Sequence, residues 1–224
     1  MTATARRAID LAIFDLDGTL VDTVPDIAGA LGAALAPVGV PAPPLAIVKE
    51  MVGDGARELI RRALAHAAVE ADVDALHAAF LASYRAHVSD RSTPYPGIPE
   101  ALAALRAAGV TCAVLTNKAG DIARRLLQDL SLASFFVATI GDGDGFPRKP
   151  DPAAALSLIA DAGTRPARAA VVGDGLPDMR MARAVGARAI AAGWGYLAAE
   201  RLAAESPDAV AGTPSDAARL VLAG

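Results

Sequence analysis

Ile9-Asp10-Leu11-Ala12-Ile13-Phe14-Asp15-Leu16-Asp17-Gly18-Thr19-Leu20-Val21-Asp22 is the stretch on which the fold turns. Its first six residues are nearly all apolar and do not alternate with polar ones. That pattern suits a strand covered on both faces, as in a parallel sheet. The run stops at Asp15, and a second carboxylate follows at Asp17. In an open parallel sheet, ligands bind where strands end, so these two acids become candidates for chemistry.

Four more runs of the same kind follow. They are Val110–Leu115, Phe136–Ile140, Ala169–Gly173 and a weaker Ala187–Ala191. Helical stretches lie between them: Gly120–Leu130, Pro152–Ala162 and Pro177–Val185, with Ile98–Ala108 before the second strand. Pro152 and Pro177 stand where a first helical turn tolerates proline, and Gly109, Gly163 and Gly186 stand where helices stop. Strands alternating with helices at this spacing predict an α/β chain with a doubly wound parallel sheet. Between Val21 and Thr93 the rhythm breaks. The spacing there predicts only helices, near Val24–Ala36, Leu45–Met51, Ala56–Ala68 and Val73–Val88. Residues 1–20 and 95–224 are therefore assigned to the sheet domain and 21–94 to an inserted helical domain. Leu20–Val24 and Asp90–Pro96 would be its hinges.

The composition narrows the functional classes. The chain has 224 residues, of which 54 % are hydrophobic, yet only 4 % are aromatic; 55 are alanine. A net charge of -4 argues against a nucleic-acid partner, which calls for surplus Lys and Arg. A lone Cys112 excludes a disulfide framework and a cysteine-rich metal site. No apolar run approaches the ~18 residues of a membrane span, so no membrane partner is expected. Met1–Ile9 does not read as a secretory leader. A cytoplasmic protein, monomer or homodimer, is the expectation. Only three cations are lysines, Lys49, Lys118 and Lys149; the other 18 are arginines.

Four strand ends finish in polar groups: Asp15 and Asp17, Thr116 and Asn117, Asp142 and Asp144, then Asp174 and Asp178. Lys149 follows the third strand. Several carboxylates with one lysine call for a hard cation such as Mg²⁺, and Mg²⁺ beside lysine is a setting for phosphate. A lone Asp after a strand is more often a cap or turn former, the reading given to Asp10, Asp151 and Asp161. For Asp142 and Asp144, loop-shaping and ligand roles stay open.

Phe14-Asp15-Leu16-Asp17-Gly18-Thr19-Leu20-Val21-Asp22 resembles the first motif of the haloacid dehalogenase-like hydrolases. Leu115-Thr116-Asn117, Lys149-Pro150-Asp151-Pro152 and Val172-Gly173-Asp174 with Asp178 resemble the other three, in order, over nearly the whole chain. The resemblance implies a Rossmann-like core with an α-helical cap. It implies Asp15 as the nucleophile that becomes an aspartyl-phosphate, and Asp17 as general acid/base. Thr116 would bind a phosphoryl oxygen with help from Asn117, and Lys149 would steady nucleophile and charge. Asp174, Asp15 and the Asp17 carbonyl would hold Mg²⁺, with Asp178 in support. One departure is Gly175, where the motif often carries Ser or Thr.

Within the insert, Val52-Gly53-Asp54-Gly55-Ala56, followed by Leu59 and Arg62, is similar to the cap of phosphoglycolate phosphatases. Thr116-Asn117-Lys118 and Gly193-Trp194-Gly195-Tyr196 point to the same branch. Asp54 stands where that branch would have asparagine. A carboxylate substrate would find it unfavourable without a neighbouring cation, which Arg57, Arg61 or Arg62 could provide. Thr19, Gly53, Asp54, Gly55, Arg62 and Lys118 are the candidate substrate contacts. The implied activity is Mg²⁺-dependent hydrolysis of a small phosphorylated metabolite. A β-phosphoglucomutase-like mutase is the alternative, disfavoured by Thr19. A non-catalytic phospho-ligand binding module is the alternative of another class, disfavoured because no core motif residue is lost.

Overall fold

The computed structural model describes residues 9–224. The reading of the leader segment Met1–Ile9 and the start of the sheet domain therefore fall mostly outside the described residues. In chain order the elements begin with β1 (Leu11–Phe14), β2 (Val21–Asp22), α1 (Val24–Leu35), α2 (Leu45–Met51), α3 (Ala56–Ala67) and α4 (Val73–Ala86). Then come β3 (Thr93–Pro94), α5 (Ile98–Ala107), β4 (Thr111–Ala119), α6 (Gly120–Asp129), β5 (Thr139–Asp142) and α7 (Ala153–Asp161). The chain closes with β6 (Ala169–Gly173), α8 (Leu176–Val185), β7 (Arg188–Ala192), α9 (Ala199–Ala203), β8 (Ala209–Ala211) and α10 (Pro214–Ala223).

Six strands form one parallel sheet in the order β5-β4-β1-β6-β7-β8. β1 lies in the middle, and the order switches there: the chain builds outward to β5 and then returns to β6 on the other side. Carboxyl ends flanking such a switch open into a crevice. Ala12 and Phe14 of β1 face a core shared with α5, α6 and α10, whereas Leu11 and Ile13 face α7 and α8. Two covered faces explain why the sequence of β1 does not alternate.

The helices α1 to α4 pack on one another around Leu31, Leu35, Ile60, Leu76, Phe80 and Tyr84. Asp72 caps α4 by accepting from the Asp74 and Ala75 amides. The helices join the apolar face of the sheet that holds Phe14, so the insert sits above the strand ends.

Three elements differ from the sequence reading. The third strand runs over Thr139–Asp142, two residues beyond the apolar run that predicted it. The two segments expected to act as hinges pair with each other as an antiparallel ladder, Val21 with Pro94 and Asp22 with Thr93. β8 and α10 extend the sheet past the expected fifth strand. Among the described residues no helix is long and apolar enough to cross a membrane.

Candidate active site

Asp15, at the end of β1, is buried. Its Oδ1 accepts from the Leu16 amide at 2.7 Å and faces Lys149 Nζ at 2.8 Å. Lys149 Nζ also donates to Asp178 Oδ1 at 2.7 Å, so one ammonium joins two carboxylates from different strand ends. Burial alone would lower the Lys149 pKa, but Asp15 and Asp178 outweigh it and hold the group above its usual range.

Asp174, after β6, is held from two sides. Thr19 Oγ1 donates to its Oδ1 at 2.7 Å, and the Tyr196 amide to its Oδ2 at 2.7 Å. A Cβ on Gly18 would lie 2.3 Å from Asp174 Oδ2, and one on Gly195 would lie 2.1 Å from Asp174 Cβ. Glycine at both positions is what lets the two loops close around this side chain. Asp178, in the first turn of α8, accepts from the Gly175 amide at 3.0 Å, satisfying one donor of the helix start. Gly175 brings no hydroxyl here; the hydroxyl on Asp174 comes from Thr19 instead.

Carboxylate oxygens of Asp15, Asp174 and Asp178 lie within 4.8 Å of one another. Burial, then Asp178, pushes the Asp15 carboxyl up to about 8, against the pull of Lys149. Burial likewise pushes Asp174 up to about 7, against the bonds from Thr19 and Tyr196. Counting Asp17, four carboxylates face the two ammonium groups of Lys149 and Lys118. That deficit of two positive charges, on hard oxygen donors, fits a divalent cation.

The second half of the site is built by β4. Its pairing with β5 shifts register between Leu115 and Ala119. Such an irregularity re-aims side chains, and here Thr116, Asn117 and Lys118 are consecutive and all buried. Thr116 Oγ1 accepts from the Lys118 amide at 3.2 Å. Asn117 accepts from the Lys149 amide at 2.9 Å and donates to the carbonyls of Lys149 and Gly53 at 3.2 and 3.0 Å. It thus ties the lysine segment to the loop before α3. Lys118 Nζ donates to Asp17 Oδ1 at 2.8 Å, and Thr23 Oγ1 donates to the same oxygen at 2.7 Å.

Two cavities meet at Asp15 and Asp17. An inner chamber of about 50 Å³ is walled by Ile27, Leu59, Phe80, Leu81 and Ile122, with Lys118 facing it. An outer cleft of about 720 Å³ reaches Lys149, Asp174 and Asp178 and opens past Lys49, Asp54 and Arg62.

Each candidate substrate contact has a definite place. Gly53 lines both cavities, Gly55 the inner one, Asp54 and Arg62 the outer. Arg62 pairs with Asp54 and donates to the Met51 carbonyl at 2.9 Å, so the cation beside Asp54 is Arg62. Arg57 and Arg61 pair with Asp74 and Glu58 instead. Thr19 is fully buried beneath the carboxylate cluster. Asp142 pairs with Arg148; Asp144 accepts from the Gly141 amide and from Arg124, a loop-shaping arrangement. Asp151 accepts from the Ala153 amide as a turn former. Asp10 instead pairs with Arg168 and accepts from Thr164.

Three residues with no assigned place in the sequence reading join this framework. The Tyr84 hydroxyl accepts from Lys118 Nζ. The Tyr196 hydroxyl accepts from the Thr23 amide at 2.7 Å and lies 3.0 Å from Asp22 Oδ1, bracing the first hinge. Asp26 accepts from the Ser92 amide and hydroxyl, both at 2.7 Å, and from the Arg91 amide at 2.9 Å, bracing the second.

Comparison with known proteins agrees with this geometry. The sequence model of haloacid dehalogenase-like hydrolases matches residues 12–192. A phosphoglycolate phosphatase of Agrobacterium fabrum is 43 % identical over 197 residues, 86 % of this chain and 84 % of that protein. One from Chromobacterium violaceum is 37 % identical over 204 residues, covering 89 % of this chain and 91 % of its own length. A crystal structure described as a predicted phosphoglycolate phosphatase, from Haemophilus somnus, superposes with a TM-score of 0.90 at 28 % identity, covering 96 % of this chain and 99 % of that one. With the family model matched over most of its length and such relatives at about 40 % identity, the chain belongs to the haloacid dehalogenase-like hydrolase family.

Proposed function

We propose that this chain is a cytoplasmic, Mg²⁺-dependent phosphatase of small phosphorylated metabolites, with 2-phosphoglycolate the first candidate substrate. The observation that carries the reading is convergence: Asp15 and Asp17 after β1, Thr116 of β4, Lys149 between β5 and α7 and Asp174 after β6 meet around one crevice. The free thiol of Cys112, buried and unpaired, suits a reducing compartment.

Asp15 is the nucleophile. Two donors already sit on its Oδ1, which leaves Oδ2 to attack phosphorus. The new bond from Asp15 to phosphorus forms as the ester P–O bond breaks. Asp17 gives its proton to the departing oxygen. Asp17 then takes a proton from water, the water oxygen attacks phosphorus, and the bond to Asp15 breaks, releasing inorganic phosphate. Thr116 and Lys149 meet the phosphoryl oxygens, whose charge spreads in the transition state. Asp15, Asp174 and the Asp17 carbonyl would hold Mg²⁺, with Asp178 in support. The ion supplies charge neutralisation for an anion attacking an anion.

The inner chamber favours a small leaving group. Its volume of about 50 Å³ is small beside the 720 Å³ of the outer cleft. A two-carbon acid fits that space and would find Lys118 as its cation. Both relatives named above carry the phosphoglycolate phosphatase description. Release of inorganic phosphate from 2-phosphoglycolate and a panel of sugar phosphates tests the reading. Strong preference for 2-phosphoglycolate is expected; an isomerised sugar phosphate without phosphate release would point to a mutase instead.

A further inference from the structure

Lys118 presents a problem that its neighbours solve. It is an ammonium with a side chain only 4 % exposed, and an unpaired charge there would be costly. Burial lowers its pKa, and the adjacent Asp17 opposes this. Its ammonium has two hydrogen-bond partners from different parts of the molecule. One is Asp17 Oδ1 in the loop after β1. The other is the Tyr84 hydroxyl, on α4 of the helical insert. The Tyr84 ring also lies 4.3 Å from Nζ, close enough for a cation–π contact. Tyr84 is itself 2 % exposed, and its ring packs on Phe80 at a tilt of 52° with centroids 5.5 Å apart, which holds the hydroxyl in place.

The geometry points to Tyr84 as a positioning residue for Asp17, acting through Lys118. Resting on the phosphatase reading, this makes the insert a supplier of order to the proton-exchanging group and not only a lid. Both donors to Asp17, Lys118 and Thr23, bond to Oδ1. The carboxyl is thereby turned so that Oδ2 meets the departing ester oxygen. Lys118 can hold this pose only while its own position is fixed, and Tyr84 fixes it from the side of the insert. The ties from the insert to Asp174 and Lys149 are less direct: the Gly53 carbonyl reaches Asn117, and the Thr23 amide reaches the Tyr196 hydroxyl, whose own amide holds Asp174. The insert therefore acts on proton transfer more than on phosphate binding. Misplacing a reacting group slightly is enough to slow the step it serves.

The test separates these steps by leaving group. An alkyl phosphate needs a proton on its departing oxygen, whereas p-nitrophenyl phosphate does not. The transfer to Asp15 is followed in single turnovers with Mg²⁺ for wild type, Tyr84→Phe, Lys118→Met and each combined with Asp17→Asn. Tyr84→Phe keeps the ring and its packing and removes only the hydroxyl. It should slow the alkyl ester about tenfold, leave KM within about twofold and barely change the aryl ester. Lys118→Met should slow the alkyl ester by nearer 10²-fold and spare the aryl ester, within the range of acid–base contributions, with KM raised only for an ester that carries a carboxylate. In the Asp17→Asn background neither change should add a further loss. Equal losses on both esters, additive losses with Asp17→Asn, or an unaltered Tyr84→Phe enzyme would overturn the coupling. A wild type inert towards both esters would instead overturn the phosphatase reading, and this proposal with it.

Discussion

The two sides of the crevice are built by different logic. On one side, Asp15, Asp174, Asp178 and Lys149 belong wholly to the sheet, and loops closed by Gly18 and Gly195 hold them. On the other, Asp17 is held by Lys118 and Thr23, and Lys118 leans on Tyr84 of the insert. The first side meets the inserted helices and their loops indirectly, through Asn117 on the Gly53 carbonyl and Tyr196 on the Thr23 amide. The second is complete only with them in place. On the proposed reaction, this keeps charge neutralisation, which phosphoryl transfer always needs, apart from leaving-group chemistry, which differs between substrates.

The largest effect expected is on the sheet side. Asp15→Asn should lower phosphate release by at least about 10³-fold on every ester, because it removes the proposed nucleophile. Steady-state rates on an alkyl and an aryl phosphate check this. Lys149→Met should follow with a loss of about 10²–10³-fold, also alike for both esters, as for removal of one charge-stabilising donor. A loss that depended on the leaving group would erase the distinction between the two sides.

Next in size is a hinge. Burial opposes ionisation of Asp26, but bonds from Ser92 and Arg91 prevail and hold its carboxyl below the usual range. Asp26→Ala strands the buried Ser92 amide and hydroxyl, a cost of about 2 kcal/mol, or roughly 4–8 °C in Tm. Thermal unfolding measures it. Because the folded pKa is depressed, this stabilisation is present above the unfolded value and fades as pH falls through the folded one.

The carboxylate cluster has the opposite sign. Without metal, Asp15 titrates near 8 and Asp174 near 7, both above the unfolded value of 3.8. The folded chain keeps protons that the unfolded chain sheds, so metal-free stability should fall as pH rises from about 4 to 8. Mg²⁺ should therefore raise Tm more at pH 8 than at pH 5, by about 2–4 °C for each kcal/mol gained. Calorimetry with Mg²⁺ and with EDTA at both pH values is the check. The smallest effect is at the rim. Arg62 and Asp54 are 34 % and 42 % exposed, so Arg62→Ala should change stability by less than about 1 kcal/mol. A rise in KM for 2-phosphoglycolate without loss of kcat would give Arg62 a part in substrate binding.

The sheet side was legible in the sequence because its signals are local. β1 is an uninterrupted apolar run that halts at Asp15, and the same form repeats before Thr116 and Asp174. The insert showed itself by the absence of such runs between residues 21 and 93. What stayed hidden depends on partners far apart in the chain. Lys118 and Tyr84 are separated by 34 positions, and Asp26 and Ser92 by 66, with no local pattern marking either pair. The hinge ladder of Val21–Asp22 with Thr93–Pro94 is too short to leave a periodicity. β8 is three residues, Ala209–Ala211, with Val210 half exposed at the sheet edge, so it lacks the apolar run of a buried strand. The third strand slid to Thr139–Asp142 because Phe136 packs edge-on against Phe14 rather than entering the ladder.

The direct test of the whole account is to find the phosphoryl group on the protein. Wild-type enzyme with Mg²⁺ and 2-phosphoglycolate is quenched in acid within one turnover, digested and mapped by mass spectrometry. The account predicts one added phosphoryl group on Asp15, lost on longer incubation as inorganic phosphate appears and absent from Asp15→Asn. Phosphate released at full rate with no such adduct, or an adduct on another residue, would contradict it.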